Sequence, residues 1–307
     1  VGGGWLAEPA GRGHFAIYKR PIPHGSGSRA GAGVLRARAA EAALLAIARG
    51  LGSPPVRAGS YRVEPGITPV ALVDKLSRGD TIKETLTIVE GWTFAQMRAE
   101  MARNRHLRPE SMNLSDEELL QKVAPGYKHP EGLFYPDTYF YDRGASDLLV
   151  LQQAHQRMLK MLEQSWSKRS ADLPYTTPYE ALIMASIVEK ETGREADRTR
   201  VAAVFVNRLK RGMLLQTDPT VIYGLGESFD GNLKRGHLRA DTPWNTYTRA
   251  GLPPTPIAMP GKAALMAAVQ PASSQALYFV ARGDGSSQFS ASLDEHNRAV
   301  NRYQRGQ

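Results

Sequence analysis

The sequence predicts an α+β protein, a small βα unit followed by a larger mixed α/β domain. Three observations predict it. In the first part, short stretches at "HFAIYKRPIP", around Tyr61 and Val63, and at the β-branched "ETLTIVE" read as strands. From Gly91 onward the apolar residues recur at helical spacing. Near the end, "ALYFVARGDGSSQFSA" reads as two short strands joined by a glycine-rich turn. The chain has 307 residues, 42% of them hydrophobic, enough for a sizeable core and for more than one domain.

Taken in order, residues 1–13 are glycine-rich and aperiodic and read as a tail. Residues 14–90 form the small unit. "HFAIYKRPIP" is a strand stopped by Pro21 and Pro23, and an alanine-rich helix runs over 34–49 to Gly50. A strand around Tyr61 and Val63 leads through Pro65-Gly66 into a helix with Thr68 as N-cap, Pro69 in its first turn and Gly79 as its stop. "ETLTIVE" is the closing strand.

Residues 91–307 form the larger domain. "WTFAQMRAEMARN" and, behind Ser115, "SDEELLQKV" are helices, the second with the acidic first turn that a helix dipole favours. "PEGLFYPDTYFY" holds five aromatics in twelve residues and suits either a core lining or a stacking platform. A packing helix spans 148–166. "TTPYE" then spells a capping box of Thr177 and Glu180 with Pro178 at the first helical position. Gly193 ends that helix, Asp197 caps the next, and Gly212 ends it. The remainder is rich in loops, apart from a helix over 262–269, the hairpin, and a last helix from Leu293.

Lys and Arg number 39 against 30 Asp and Glu, a net charge of +9, which favours an anionic partner. There is no cysteine, which excludes disulfides, thiolate metal sites and a cysteine nucleophile. The seven histidines show no ligand spacing, so neither a metal nor another cofactor is expected. No run approaches the ~18 consecutive apolar residues of a membrane helix. The start at Val1, without Met, leads us to expect a signal or anchor upstream.

The segment "YEALIMASIVEKETG" poses the chemical question, because a nearly all-apolar helix carries Glu189 and Glu191 near its end. Leu182, Ala185, Ser186 and Glu189 share one stripe, and Met184, Ile187, Val188 and Glu191 share another. A carboxyl beside a partly dry cavity resists ionisation and can act as a general acid. Ala185 and Ser186 leave room for a substrate, which favours Glu189, with Glu191 in a salt bridge or hydrogen bond. Both acids can equally pair with Lys190, Arg194 or Arg198 on a solvated helix end. Asn207 faces the core. Asp218 before Pro219 reads first as a helix N-cap. Gln216, Asn245 and Tyr247 lie in loops of amide and aromatic groups, the mix found in sugar sites. One isolated acid suits a lyase-like cleavage, since glycoside hydrolysis uses two.

"ASIVEKET", "VFVNRLKRGMLLQTDPTVIYGLG", "NTYTRAGLPPTPIAMPG" and "ALYFVA" together resemble the endolytic murein transglycosylase, or YceG-like, family from Gly91 to the C-terminus. Tyr61, Val63, Gly66 and Thr68 resemble the LysM-like subdomain of that family. The resemblance implies that Glu189 is the acid/base, and that Asn207, Gln216, Asp218, Tyr223, Asn245 and Tyr247 line the site with Glu131 near it. It implies glycan strands of peptidoglycan as substrate and 1,6-anhydro ends as product. It further implies peptidoglycan synthases as partners and an N-terminal membrane helix that holds the domain outside the cytoplasm. The competing expectations are a hydrolytic muramidase, with Glu191 or Asp218 as second carboxylate, and a non-catalytic glycan-binding scaffold of the elongation machinery. Nucleic acid is not an expected partner, because no binding motif accompanies the charge.

Overall fold

A computed structural model describes residues 4–9, 14–20, 46–47, 49–50, 52, 57 and 59–306. The chain divides into two compact units: Val1–Leu86 with Asn104–Arg108 and Phe140–Ser146, and Thr87–Arg103 with Pro109–Tyr139 and Asp147–Gln307.

In the first unit β1 (Gly4–Pro9), β2 (His14–Arg20) and β3 (Gly59–Arg62) form an antiparallel sheet in that order, with Leu6 opposite Tyr18 and Phe15 opposite Tyr61. The sequence reading expected only a tail at β1. A ladder is made by backbone groups, so a segment without side-chain alternation can still pair. The alanine-rich helix expected over 34–49 falls mostly outside the described residues, though 46, 47, 49 and 50 are helical. After β3 comes α1 (Pro69–Arg78), with Thr68 Oγ1 accepting from Ala71 N and Gly79 at φ 71° closing the helix. Tyr61 is fully buried and donates its hydroxyl to Arg57 O at 2.7 Å. Strands β4 (Lys83–Thr87) and β5 (Thr138–Asp142) pair with each other.

The second unit is mostly helical. It contains α2 (Phe94–Arg103), α3 (Asp116–Val123) and α4 (Asp147–Trp166), then α5 (Pro178–Glu191), α6 (Glu195–Lys210), α7 (Asp218–Leu225) and the short α8 (Arg235–Arg239). It ends with α9 (Lys262–Val269), the hairpin β6 (Tyr278–Ala281) and β7 (Ser287–Ser290), and α10 (Leu293–Gln304). The expected capping box of Thr177 and Glu180 forms, and Ser115 with Glu118 makes a second one at the acidic helix start. The aromatic run is chiefly core: Phe134, Tyr135, Tyr139 and Tyr141 are buried, and Phe140 alone of the five is exposed.

Helix α5 is apolar all round because it is enclosed all round. Ala181 to Val188 are buried, and α4, α6 and α9 pack against it. Burying eight residues in succession anchors the helix, so its last turn, with both glutamates, is held in place. Helix α6 in turn pins the hairpin region. Arg208 Nε donates to Leu277 O at 2.7 Å, Asn207 Nδ2 donates to Ser274 O and Ala276 O, and Asp197 Oδ2 accepts from Ser287 N. Asp197 was expected to cap α6. The N-cap position is Arg194, without a side-chain bond, and Asp197 lies buried inside the first turn, where the hairpin N–H takes its oxygen.

Candidate functional site

A cavity of about 480 Å³ opens where α5 ends, and Glu191, Arg208, Gln216, Asp218, Tyr247 and Tyr278 line it. Six segments build it: the last residue of α5, the α6 face bearing Arg208, the turn into α7, the loop around Tyr247, the start of β6 at Tyr278, and the first turns of α10. Asp218 is the first residue of α7, and the N-cap is Thr217, so the capping role expected for Asp218 is not what its side chain does. Its Oδ1 accepts the Tyr247 hydroxyl at 2.5 Å.

The turn that presents these groups is strained and tied down. Gln216 is the non-glycine residue with positive φ, 52°, among the described residues. Its N–H donates to Thr246 O at 3.1 Å, and the next amide, Thr217 N, donates to Thr246 Oγ1 at 3.1 Å. Asn245 is fully buried. Its Nδ2 donates to Leu238 O and Ala240 O, and its Oδ1 accepts from Tyr247 N at 2.8 Å. Asn245 therefore places Tyr247 without itself lining the cavity.

Glu191 accepts a hydrogen bond from Thr217 Oγ1 at its Oε1. Burial pushes its carboxyl above the ordinary range and the Asp218 charge adds to this, against the Thr217 bond and the Arg208 guanidinium. Arg208 donates to Leu215 O at 2.9 Å and to Gln216 Oε1 at 3.4 Å, so its positive charge is fixed in the wall of the cavity. Burial, with Asp218 beside it, pushes the Tyr247 phenol up and keeps it a neutral donor. The cavity therefore offers one reluctant acid, a second carboxylate held by a phenol, an amide and a buried cation.

Glu189 points elsewhere. Two residues along a helix turn by about 200°, so Glu189 and Glu191 face nearly opposite ways. Glu189 Oε2 accepts the Gly261 amide at 2.9 Å, at the start of α9. Burial raises its carboxyl and Glu90 adds like-charge repulsion, while Gly261, Arg198 and Lys190 oppose. Glu90 is a neighbour the sequence reading missed. Its carboxyl lies so close to Gly261 that a Cβ there would stand 1.8 Å from Oε1. The one signal in sequence was an acid at the end of "ETLTIVE", directly before the Gly91 turn. Ala185 and Ser186, read as room for a substrate, are fully buried, and Ser186 Oγ accepts from Ile257 N at 3.0 Å.

Glu131, which is buried, and Tyr223, which is half-buried, form a separate group. Phe94 N donates to both Glu131 oxygens, at 3.0 and 3.1 Å, so this carboxyl caps α2. Burial lifts it to about 7, against the Phe94 and Tyr223 hydrogen bonds. The Tyr223 ring meets Trp244 edge-on at 5.4 Å, and Trp244 Nε1 donates to Thr255 Oγ1. Of the expected site residues, the fold thus gathers Gln216, Asp218 and Tyr247 around Glu191. It leaves Glu189, Glu131 and Tyr223 outside that cavity, and uses Asn207 and Asn245 as braces.

Residues 22–302 match the YceG-like family. A relative from Bacillus subtilis (strain 168), named endolytic murein transglycosylase, is 32% identical over 97% of this chain and 88% of its own length. A protein of the same name from Streptococcus pneumoniae (serotype 2, strain D39) is 27% identical over 80% of this chain and 50% of its own length. The crystal structure of a YceG-like protein from Listeria monocytogenes superposes with a TM-score of 0.58 at 28% identity, covering 84% of this chain and 89% of that one.

Proposed function

The chain belongs to the YceG-like family, and we infer that it is an endolytic murein transglycosylase that cuts within glycan strands between N-acetylmuramic acid and N-acetylglucosamine without adding water. The proposed acid/base is Glu191. The observation that carries this choice is its placement: Glu191 borders the cavity with Gln216, Asp218 and Tyr247, whereas Glu189 is engaged by the Gly261 amide.

In this reading the protonated Glu191 gives its hydrogen to the bridging oxygen as the C1–O bond breaks. The resulting carboxylate then takes the hydrogen of the muramoyl C6 hydroxyl, whose oxygen closes onto C1. Protons balance, one given and one regained, and the product carries a 1,6-anhydro end. Raising the carboxyl by burial suits the first step, and the Thr217 bond suits the second by stabilising the anion. The substrate's own acetamido group helps carry positive charge at C1.

Asp218 on the same cavity motivates a second reading, a muramidase in which it activates water. Mass spectrometry of uncrosslinked strands digested by the purified chain separates the two, since reducing ends weigh one water more than anhydro ends. Anhydro product that disappears in Glu191→Gln and persists in Glu189→Gln is the expected result, and the reverse pattern returns the acid/base role to Glu189.

The substrate is a cell-wall polymer, so the site works outside the cytoplasm. Among the described residues no helix is long and apolar enough to cross a membrane. The family resemblance supports an anchoring helix N-terminal to this chain and action beside the synthases of nascent strands. Sedimentation of the full-length protein with membranes, and its release by detergent, tests the first.

A further inference from the structure

One face of α10 borders the Glu191 cavity with its polar groups unused. Leu293, His296 and Asn297 are three and four residues apart, share that face, and all line the cavity. Leu293 is 54% exposed despite being apolar. The His296 ring stacks on Tyr278 with centroids 5.1 Å apart at 22°, and the Arg208 guanidinium lies 5.1 Å from the Tyr278 centroid. The ring is thereby fixed in orientation, yet its Nδ1 is buried without a hydrogen-bond partner.

The protonation state follows from these surroundings. Burial and, second, the Arg208 charge hold the imidazole below the usual histidine range, so it is neutral at neutral pH. A hydrogen on the enclosed Nδ1 would strand a buried donor, and stranded N–H groups are rarer in proteins than underused acceptors. The hydrogen therefore resides on Nε2. The face then presents an apolar side chain, a neutral donor and an amide in one row.

That sequence of groups is the complement of an acetamido substituent, which offers a methyl, a carbonyl acceptor and an N–H. Building on the transglycosylase reading, we propose that this face binds the 2-acetamido group of one N-acetylhexosamine in the strand. Leu293 covers the methyl, His296 Nε2–H donates to the carbonyl oxygen, and the Asn297 side-chain oxygen accepts the N–H. A sugar bearing a free amine would lose the Leu293 and His296 contacts, keep only an N–H for Asn297, and bring an ammonium towards the Arg208 guanidinium, so the same face disfavours it.

The test uses the full chain carrying Glu191→Gln, to suppress turnover, and calorimetric titration with two ligands. One is a tetrasaccharide of alternating N-acetylglucosamine and N-acetylmuramic acid, and the other is its chemically de-N-acetylated counterpart. De-N-acetylation is expected to weaken binding on the order of tenfold or more. Leu293→Ala and His296→Phe should each bring that ratio close to one, and His296→Gln, which keeps a neutral donor, should restore much of it. Leu293 is exposed, so its truncation leaves the core intact, and circular dichroism checks the fold of each variant. A ratio unchanged by both Leu293→Ala and His296→Phe overturns the proposal. Anhydro product from the parent chain reports on the enzyme reading separately. Product with an unchanged ratio removes only the acetamido face, and a collapsing ratio without product removes only the cleavage.

Discussion

Thr217 donates its hydroxyl hydrogen to Glu191 Oε1, and so ties the acid at the end of α5 to the N-cap position of α7. A hydrogen bond to the ionised form of a carboxyl lowers its pKa, and here it works against burial. Thr217→Val should therefore raise Glu191 further. The acid must be protonated to act, so activity falls as pH rises through its pKa. The basic limb of the kcat/KM profile should move up by about one pH unit in Thr217→Val and stay in place in Thr217→Ser. A downward move would contradict the assigned role.

Glu189 and Glu191 should part in rate as well as in product. Glu191→Gln is expected to lower kcat by about two to four orders of magnitude. Glu189→Gln keeps an oxygen for the Gly261 amide and relieves repulsion from Glu90, so its rate and stability should stay near the parent. Glu189→Leu strands that amide and should lose about 1 to 3 kcal/mol in urea unfolding.

Asn245→Ala removes a fully buried amide that serves Leu238 O, Ala240 O and Tyr247 N. Stability should fall by about 3 kcal/mol, read as a lower denaturation midpoint. Tyr247 loses its positioning bond, so kcat should also drop while far-UV circular dichroism is unchanged.

Glu131 gives the fold a pH dependence with a definite sign. Its carboxyl is raised to about 7 in the folded chain. A raised carboxyl stabilises the fold below its unfolded pKa, and that contribution is lost as pH climbs through about 7. Between the two the loss amounts to about 3 kcal/mol. Urea midpoints of the parent should decline across this window, and Glu131→Gln should flatten the decline. An equal slope in both proteins would show that another group is responsible.

The helix ends were legible in sequence because their signals are local. Thr177 and Glu180, or Ser115 and Glu118, sit three residues apart and bond to each other. The orientation of the acids was not. Small residues on a helix serve an approaching substrate and an approaching helix equally well, and Ala185 and Ser186 turned out to serve packing. The groups that surround Glu191 come largely from positions 208 to 247, brought together by loops whose course no periodicity encodes. Gln216, Asp218 and Tyr247 were found through resemblance, and His296 by neither route, since a lone histidine on a terminal helix carries no signal until its neighbours are seen.

The left-handed backbone at Gln216 has a consequence for how this cavity can change. Glycine or asparagine takes that dihedral readily, and a β-branched side chain resists it. Reshaping the chamber for a different saccharide through position 216 must therefore first satisfy a conformational demand that has nothing to do with sugars. Diversity there is narrowed by geometry before selectivity is ever tested, and variation is freer at rim positions such as Leu293.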